Sequence, residues 1–203
     1  MDYTALIYSA AAIIVLHEVP FTNLGYAAAC AVLMVLVPLA YLSYSRRRLG
    51  DYLIRFGDVR RGAKISALLI IAAFPVMYYG STLPQFIEYY PTWKPAAASV
   101  WNFLAYEAYM FVLIASTEVF YRGFLLGVLL DGTRHGNVIH SAAYMLAHLG
   151  KPPLEVVYSL PVGWLFGKAD QECKSIMPSL AMHYLSSVIF DLMVLHQAGV
   201  RLL

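Results

Sequence analysis

Charge is the scarce commodity in this sequence: only 13% of its 203 residues are Asp, Glu, Lys or Arg. So little charge cannot solvate the surface of a soluble globule, and the near balance of 14 basic against 12 acidic residues leaves no block of one sign large enough for nucleic acid. Cysteine is nearly absent as well. Cys30 falls in an apolar run and Cys173 in a loop, so a disulfide framework is not expected and both read as reduced thiols. The chain shows no internal repeat and no low-complexity tract. It also has no His-Glu-x-x-His and no Gly-x-Ser-x-Gly, the local signatures of zinc-dependent and serine-dependent hydrolysis.

Apolar residues fill the space that charge leaves, at 61% of the chain and a mean hydropathy of +0.65. Apolar runs occupy 3–16, 24–42, 65–80, 97–130, 138–149, 156–166 and 176–195. A membrane crossing needs about 20 such residues. The run from 97 exceeds one straight span, and the next two fall short and need shelter from neighbours. The expected fold is all-α, a polytopic transmembrane bundle of seven or eight helices forming one membrane domain over 1–203. The basic loop 46–64, with Arg46, Arg47, Arg48, Arg55, Arg60, Arg61 and Lys64, is assigned to the cytoplasm by the positive-inside rule. Alternation then places the N-terminus, Arg134, Lys168 and Lys174 inside, and the 89–93 loop, Lys94, Lys151 and Arg201 outside. The first helix lacks the basic start of a secretory signal and is expected to be retained.

Within these runs a few ionisable residues stand out. A charge at the bilayer centre costs about 2.5–3.5 kcal/mol on insertion scales, so such residues point to function rather than packing. Glu118 and Arg122 lie four apart and share a helix face. His148, His183 and Asp191 lie in or at the end of other apolar runs, and His183, Ser187 and Asp191 form one polar stripe on the last helix. One shared polar cavity is the expectation, with Asp191 holding His183 in a chosen tautomer. His140, Glu107 and Glu155 fall near predicted span ends and read as interfacial groups.

Glu118-x-x-x-Arg122-Gly123, Tyr144-x-x-x-His148 and His183-x-x-x-Ser187 resemble the three motifs of the CAAX protease and bacteriocin-processing family, also called the Abi family, of intramembrane glutamate proteases. The likeness spans about 111–194 and is to prokaryotic, single-glutamate members. It departs from the commonest pattern at Thr117, where a first glutamate is usual, and at Ser187, where asparagine is usual. The resemblance implies an endopeptidase that needs no metal or other cofactor, held in a prokaryotic cell membrane. Its partner would be a membrane-anchored peptide or protein cleaved near its C-terminus, in CAAX-like, bacteriocin- or signal-peptide-like, or myxosortase-like processing.

Under this assignment Glu118 and His148 activate water, His183 with Ser187 stabilises the oxyanion, and Arg122 fixes the glutamate, with Thr117 and Tyr144 in support. Metal-dependent hydrolysis is the chemical rival, since two histidines and a carboxylate suit zinc or iron. A catalytically silent relative, acting as membrane scaffold or immunity protein, is the other alternative, and Thr117 is its best support. Against it, a scaffold gains little from burying four ionisable groups.

Overall fold

The computed structural model describes residues 2–20 and 22–202, and among them every regular element is helical. Eight helices follow one another: α1 (Tyr3–Glu18), α2 (Asn23–Tyr44), α3 (Val59–Ser81), α4 (Pro84–Tyr89), α5 (Val100–Gly132), α6 (Gly136–Leu146), α7 (Pro153–Cys173) and α8 (Met177–Gln197). The starts are written locally. The side chains of Asp2, Thr22, Asp58 and Ser99 each accept a backbone N–H of the first turn of α1, α2, α3 and α5. Prolines sit in the first turns of α4, α7 and α8, where an N–H has no helical partner to lose.

Four helices, α2, α3, α5 and α8, are long and apolar enough to cross a membrane. The run from 97 resolves as the single helix α5 of 33 residues, about 50 Å long at 1.5 Å per residue. Its apolar window is 72% buried, against 17% for α2 and for α3, so α5 is the axis of the bundle. Neither α5 nor α2 is α-helical throughout. Val119–Leu125 of α5 and Ala31–Leu36 of α2 wind as wider π-helical turns, and the two segments touch. A wide turn frees backbone carbonyls, and the Tyr8 hydroxyl of α1 donates to one of them, Leu33 O.

α6 has only 11 residues and packs along α7 through a small-residue edge. A Cβ at Gly163 would lie 3.0 Å from the Tyr144 ring, and one at Gly167 would lie 2.0 Å from Asn137 Oδ1. The glycines let the two backbones approach closely, the usual device for helix pairs in lipid. α8 packs against α3, α5 and α7, closing the far side of the axis.

The basic loop does not lie free at the surface. Its 49–54 stretch folds back onto α5, with Ile54 over Gly123 and Tyr52 over Gly127. The Tyr52 hydroxyl donates to Asp131 and accepts from Arg47, which also pairs with Asp131 at 2.6 Å. Burial and the neighbouring Asp131 push that hydroxyl up to about 12, so it keeps its proton. The loop also meets the α7–α8 turn: Asp58 N–H donates to Cys173 O, Ile176 N–H to Leu53 O and Arg55 Nε to Lys174 O. Residues 46–58, 131–134 and 172–176 therefore share one end of the bundle. Asp2 joins them through Tyr41 and Arg47. The other end holds Tyr90, whose hydroxyl donates to Glu155, and the Lys151–Glu155 pair at 2.8 Å. Cys173 closes α7 as a buried residue rather than standing in a loop, and both cysteines are free.

A Cβ at Gly127 would lie 2.4 Å from the Tyr52 ring, which Arg47 and Asp131 hold in place. Gly127→Ala is expected to destabilise the protein by about 1–3 kcal/mol, as overpacking does, read as a lower melting temperature in detergent or nanodiscs. An unchanged melting temperature would show the loop to be loosely docked.

Candidate active site

Glu118 is the last residue of α5 before its winding widens, and Arg122 sits inside the wide segment. From Phe120 to Leu125 every residue is buried, so the helix here has no solvent or lipid face. Both charged side chains are wholly buried, with Arg122 Nε 3.1 Å from Glu118 Oε2. The guanidinium centre lies 3.8 Å from the centroid of the Tyr144 ring and 5.4 Å from that of Phe166. No guanidinium nitrogen has an aligned hydrogen bond among the described residues. Its charge is therefore balanced by a close carboxylate and by ring faces.

The second Glu118 oxygen belongs to α8. His183 Nδ1–H donates to Oε1 at 2.6 Å, at the short end of charge-assisted bonds. α6 supplies the second motif. Tyr144 lies on its buried face, and His148, just past its last turn, donates Nδ1–H to Tyr144 O at 2.8 Å. That bond leaves His148 Nε2 as an acceptor. The Tyr144 ring centroid is 4.4 Å from that of His148 and 6.2 Å from that of His183. Glu118, Arg122, Tyr144, His148 and His183 thus meet around one point. The His183 side chain is 23% exposed while Glu118 is at 0%, so the histidine side is the approach to the carboxylate.

The supporting residues divide. Ser187 is half-buried one turn beyond His183 on the same stripe. Thr117 turns its hydroxyl to Leu113 O of its own helix, at 2.9 Å, and gives the pocket no hydrogen bond. Asp191 does not reach His183. Eight residues place it about 12 Å further along α8, and its partner is Glu107 of α5. Both of these carboxyl groups are buried, and none of their oxygens has a hydrogen-bond partner among the described residues. Two neighbouring carboxylates out of water cannot both ionise, so the pair shares a proton. Glu107 is buried rather than interfacial, and so is His140, which donates Nδ1–H to Asn137 O near Arg122, whereas Glu155 stays at the end of the bundle with Lys151.

Two residues beside the site escaped the sequence reading. Asp170 of α7 is wholly buried, accepts Ser179 N–H at 2.9 Å and acts electrostatically on Arg122 and Glu118. Ser179, in the first turn of α8, also contacts Glu118. The available signal was spacing: Gly163, Gly167 and Asp170 stand four and three apart on the face of α7 that meets α6. Among the described residues no group of three His, Cys, Asp or Glu side chains is placed to hold a metal ion.

Breaking one partner of a buried pair leaves the other charge stranded. Arg122→Met is expected to lower stability by about 3–5 kcal/mol, whereas Glu107→Gln, which keeps one proton between two side chains, should stay within about 1 kcal/mol of the parent. Unfolding in mixed micelles measures both. Equal losses would mean that the two pairs have the same electrostatic character.

Residues 96–189 match the family model described as Type II CAAX prenyl endopeptidase Rce1-like. The matched segment contains all three motifs, and the resemblance to the CAAX protease and bacteriocin-processing family is borne out over it. The model describes a family of endopeptidases, and the apolar helices fit a membrane protein. No curated protein and no solved structure matches the chain.

Proposed function

We propose that the protein is an intramembrane endopeptidase of the glutamate type, cleaving a membrane-anchored peptide or protein at a bond near its C-terminus. One observation carries this reading: a wholly buried Glu118 is clasped by Arg122 and His183, and the His148 ring packs on Tyr144, the same ring that covers the Arg122 guanidinium. Peptide hydrolysis without a covalent intermediate needs a base for water, a donor for the oxyanion and a proton for the leaving amine. Water enters on the exposed side of His183 and is held by His148 Nε2. Its oxygen attacks the scissile carbonyl carbon while its proton passes to Glu118. His183 and Ser187 donate to the oxyanion. Collapse of the tetrahedral intermediate breaks the C–N bond, and the proton held on Glu118 leaves with the amine. Arg122 holds Glu118 in place between turnovers.

A silent relative is the second reading, and the inward turn of the Thr117 hydroxyl onto Leu113 O favours it, since that position offers no second base. Activity separates the two. With a substrate identified by comparing membrane proteomes with and without the protein, Glu118→Gln and His148→Ala are each expected to lower cleavage by about 10²–10⁴-fold, the usual worth of a general base. Thr117→Ala should be mild, and chelators should change little. Equal rates for the parent protein and Glu118→Gln would sink the enzyme reading, and chelator-sensitive activity restored by zinc would favour a metal mechanism.

The end of the bundle that carries 46–58 and Asp2 faces the cytoplasm of a prokaryotic cell, because its arginines are the densest basic cluster in the chain. A cysteine replacing exposed Asp58 should resist impermeant thiol reagents added outside intact cells and react after lysis. Labelling in intact cells would invert the assignment.

A further inference from the structure

Three consecutive arginines follow α2, and the way the helix ends gathers them. Arg47 N–H bonds to Leu42 O at 2.9 Å and Arg46 N–H to Ser43 O at 3.0 Å, a Schellman closure with Arg46 in the left-handed conformation at φ 52°. Glycine takes that position without strain. An arginine there is a side chain kept against a backbone preference, as happens at sites with a task. The 49–54 stretch then folds back and closes the turn into a cavity of about 460 Å³, lined by Arg46, Arg47, Arg48, Asp51, Tyr52 and Asp131.

The lining is not electrically closed. Arg47 is answered by Asp131 at 2.6 Å, by Asp2 at 3.6 Å and by the Tyr52 hydroxyl. Arg46 and Arg48 form no ion pair among the described residues, and neither does Asp51. All three are exposed and open to a ligand. Two unanswered guanidinium groups and one unanswered carboxylate leave an excess of one positive charge. A phosphodiester carries one negative charge, and its paired oxygens match the guanidinium fork. The Asp51 carboxylate accepts only, so it takes hydroxyl groups and turns away a second phosphate.

The surroundings say what else the ligand carries. The cavity stands at the ends of two helices long enough to cross a membrane, α2 at Tyr44 and α5 at Gly132. Tyr44 is 89% exposed and Phe56 74%, and Leu49 is exposed beside them. Aromatic and apolar side chains next to arginines at helix ends suit the depth where lipid headgroups meet acyl chains. Free phosphate would satisfy the guanidinium groups and leave that apolar rim uncovered. We propose that this cavity binds one anionic phospholipid, with Arg46 and Arg48 on its phosphodiester and Asp51 on the hydroxyl groups of a glycerol headgroup. Tyr52 forms part of the same wall and rests on Gly127, so the bound lipid braces the 49–54 fold-back against α5. The proposal stands apart from the peptidase reading.

The test needs no substrate. Full-length protein, stripped of lipid in a neutral detergent, is offered phosphatidylglycerol, phosphatidylethanolamine or phosphatidylcholine with the same acyl chains, and bound lipid is read by native mass spectrometry. One phosphatidylglycerol per protein is expected, held about tenfold more tightly than phosphatidylcholine, the worth of hydrogen bonds to a charged group. Arg46→Gly and Arg48→Gln should each weaken that binding about tenfold. Arg60→Gln, in the first turn of α3 and outside the cavity, should leave it unchanged. Melting temperatures in lipid-free detergent check the folding of each variant. Arg46→Gly relaxes the left-handed turn, so it should melt no lower than the parent while losing lipid; a purely structural role would lower both together. An equal loss in Arg60→Gln would show diffuse attraction only and overturn the site. Phosphatidylcholine or phosphatidylethanolamine held as tightly as phosphatidylglycerol would overturn the anionic assignment, and displacement of the lipid by an equal concentration of inorganic phosphate would overturn the lipid one.

Discussion

A guanidinium with no access to water organises this bundle. Arg122 cannot shed its proton and cannot snorkel from the middle of a buried helix, so every neighbour within reach has to answer its charge. Glu118 does so along α5, the Tyr144 ring does so from α6, and Phe166 and Asp170 do so from α7. α8 joins through His183 and Ser179, which bind the two carboxylates. Four helices are thereby set relative to one another by one side chain. The same fact explains the glycines: Tyr144 reaches the guanidinium only because Gly163 leaves room for its ring.

Residue type and spacing carried most of the fold and the centre of the site. The apolar runs mark the helices, and charge in those runs marks Glu118, Arg122, His148 and His183, because lipid-embedded ionisable groups have few uses. What escaped did so for identifiable reasons. α7 continues to Cys173 although its apolar run stops at Phe166, and Asp170 was passed over with the residues beyond that point. Glu107 and His140 were read as interfacial from their distance to span ends, yet α5 is longer than a bilayer core and α6 is enclosed by its neighbours. Counting residues along one helix says how deep a group lies only when that helix faces lipid. Asp191 illustrates the converse limit. Its place on the stripe with His183 is real, but sharing a face over two turns does not bring side chains together.

The protein also keeps two buried acidic centres of different character. At the level of Glu118 the carboxylates are matched with a cation and imidazoles. At the level of Glu107 and Asp191 two carboxyls answer each other, with Tyr106 and Tyr90 nearby. The first arrangement keeps charge available for chemistry, and the second removes it by sharing a proton. Both join α5 to α8, so the same helix pair is pinned at two depths by opposite electrostatic means.

The fold-back of 49–54 onto Gly123 and Gly127 gives the N-terminal half a part in the catalytic half. Ile54 rests on the residue next to Arg122, and Ile176 N–H, at the threshold of α8, is bonded to Leu53 O. The segment that carries every motif is thus not a transplantable cassette. Excised at residue 96 and grafted onto other membrane helices, it would lose the wedge that separates α5 from the start of α8, and with it the spacing between the glutamate of one and the histidine of the other.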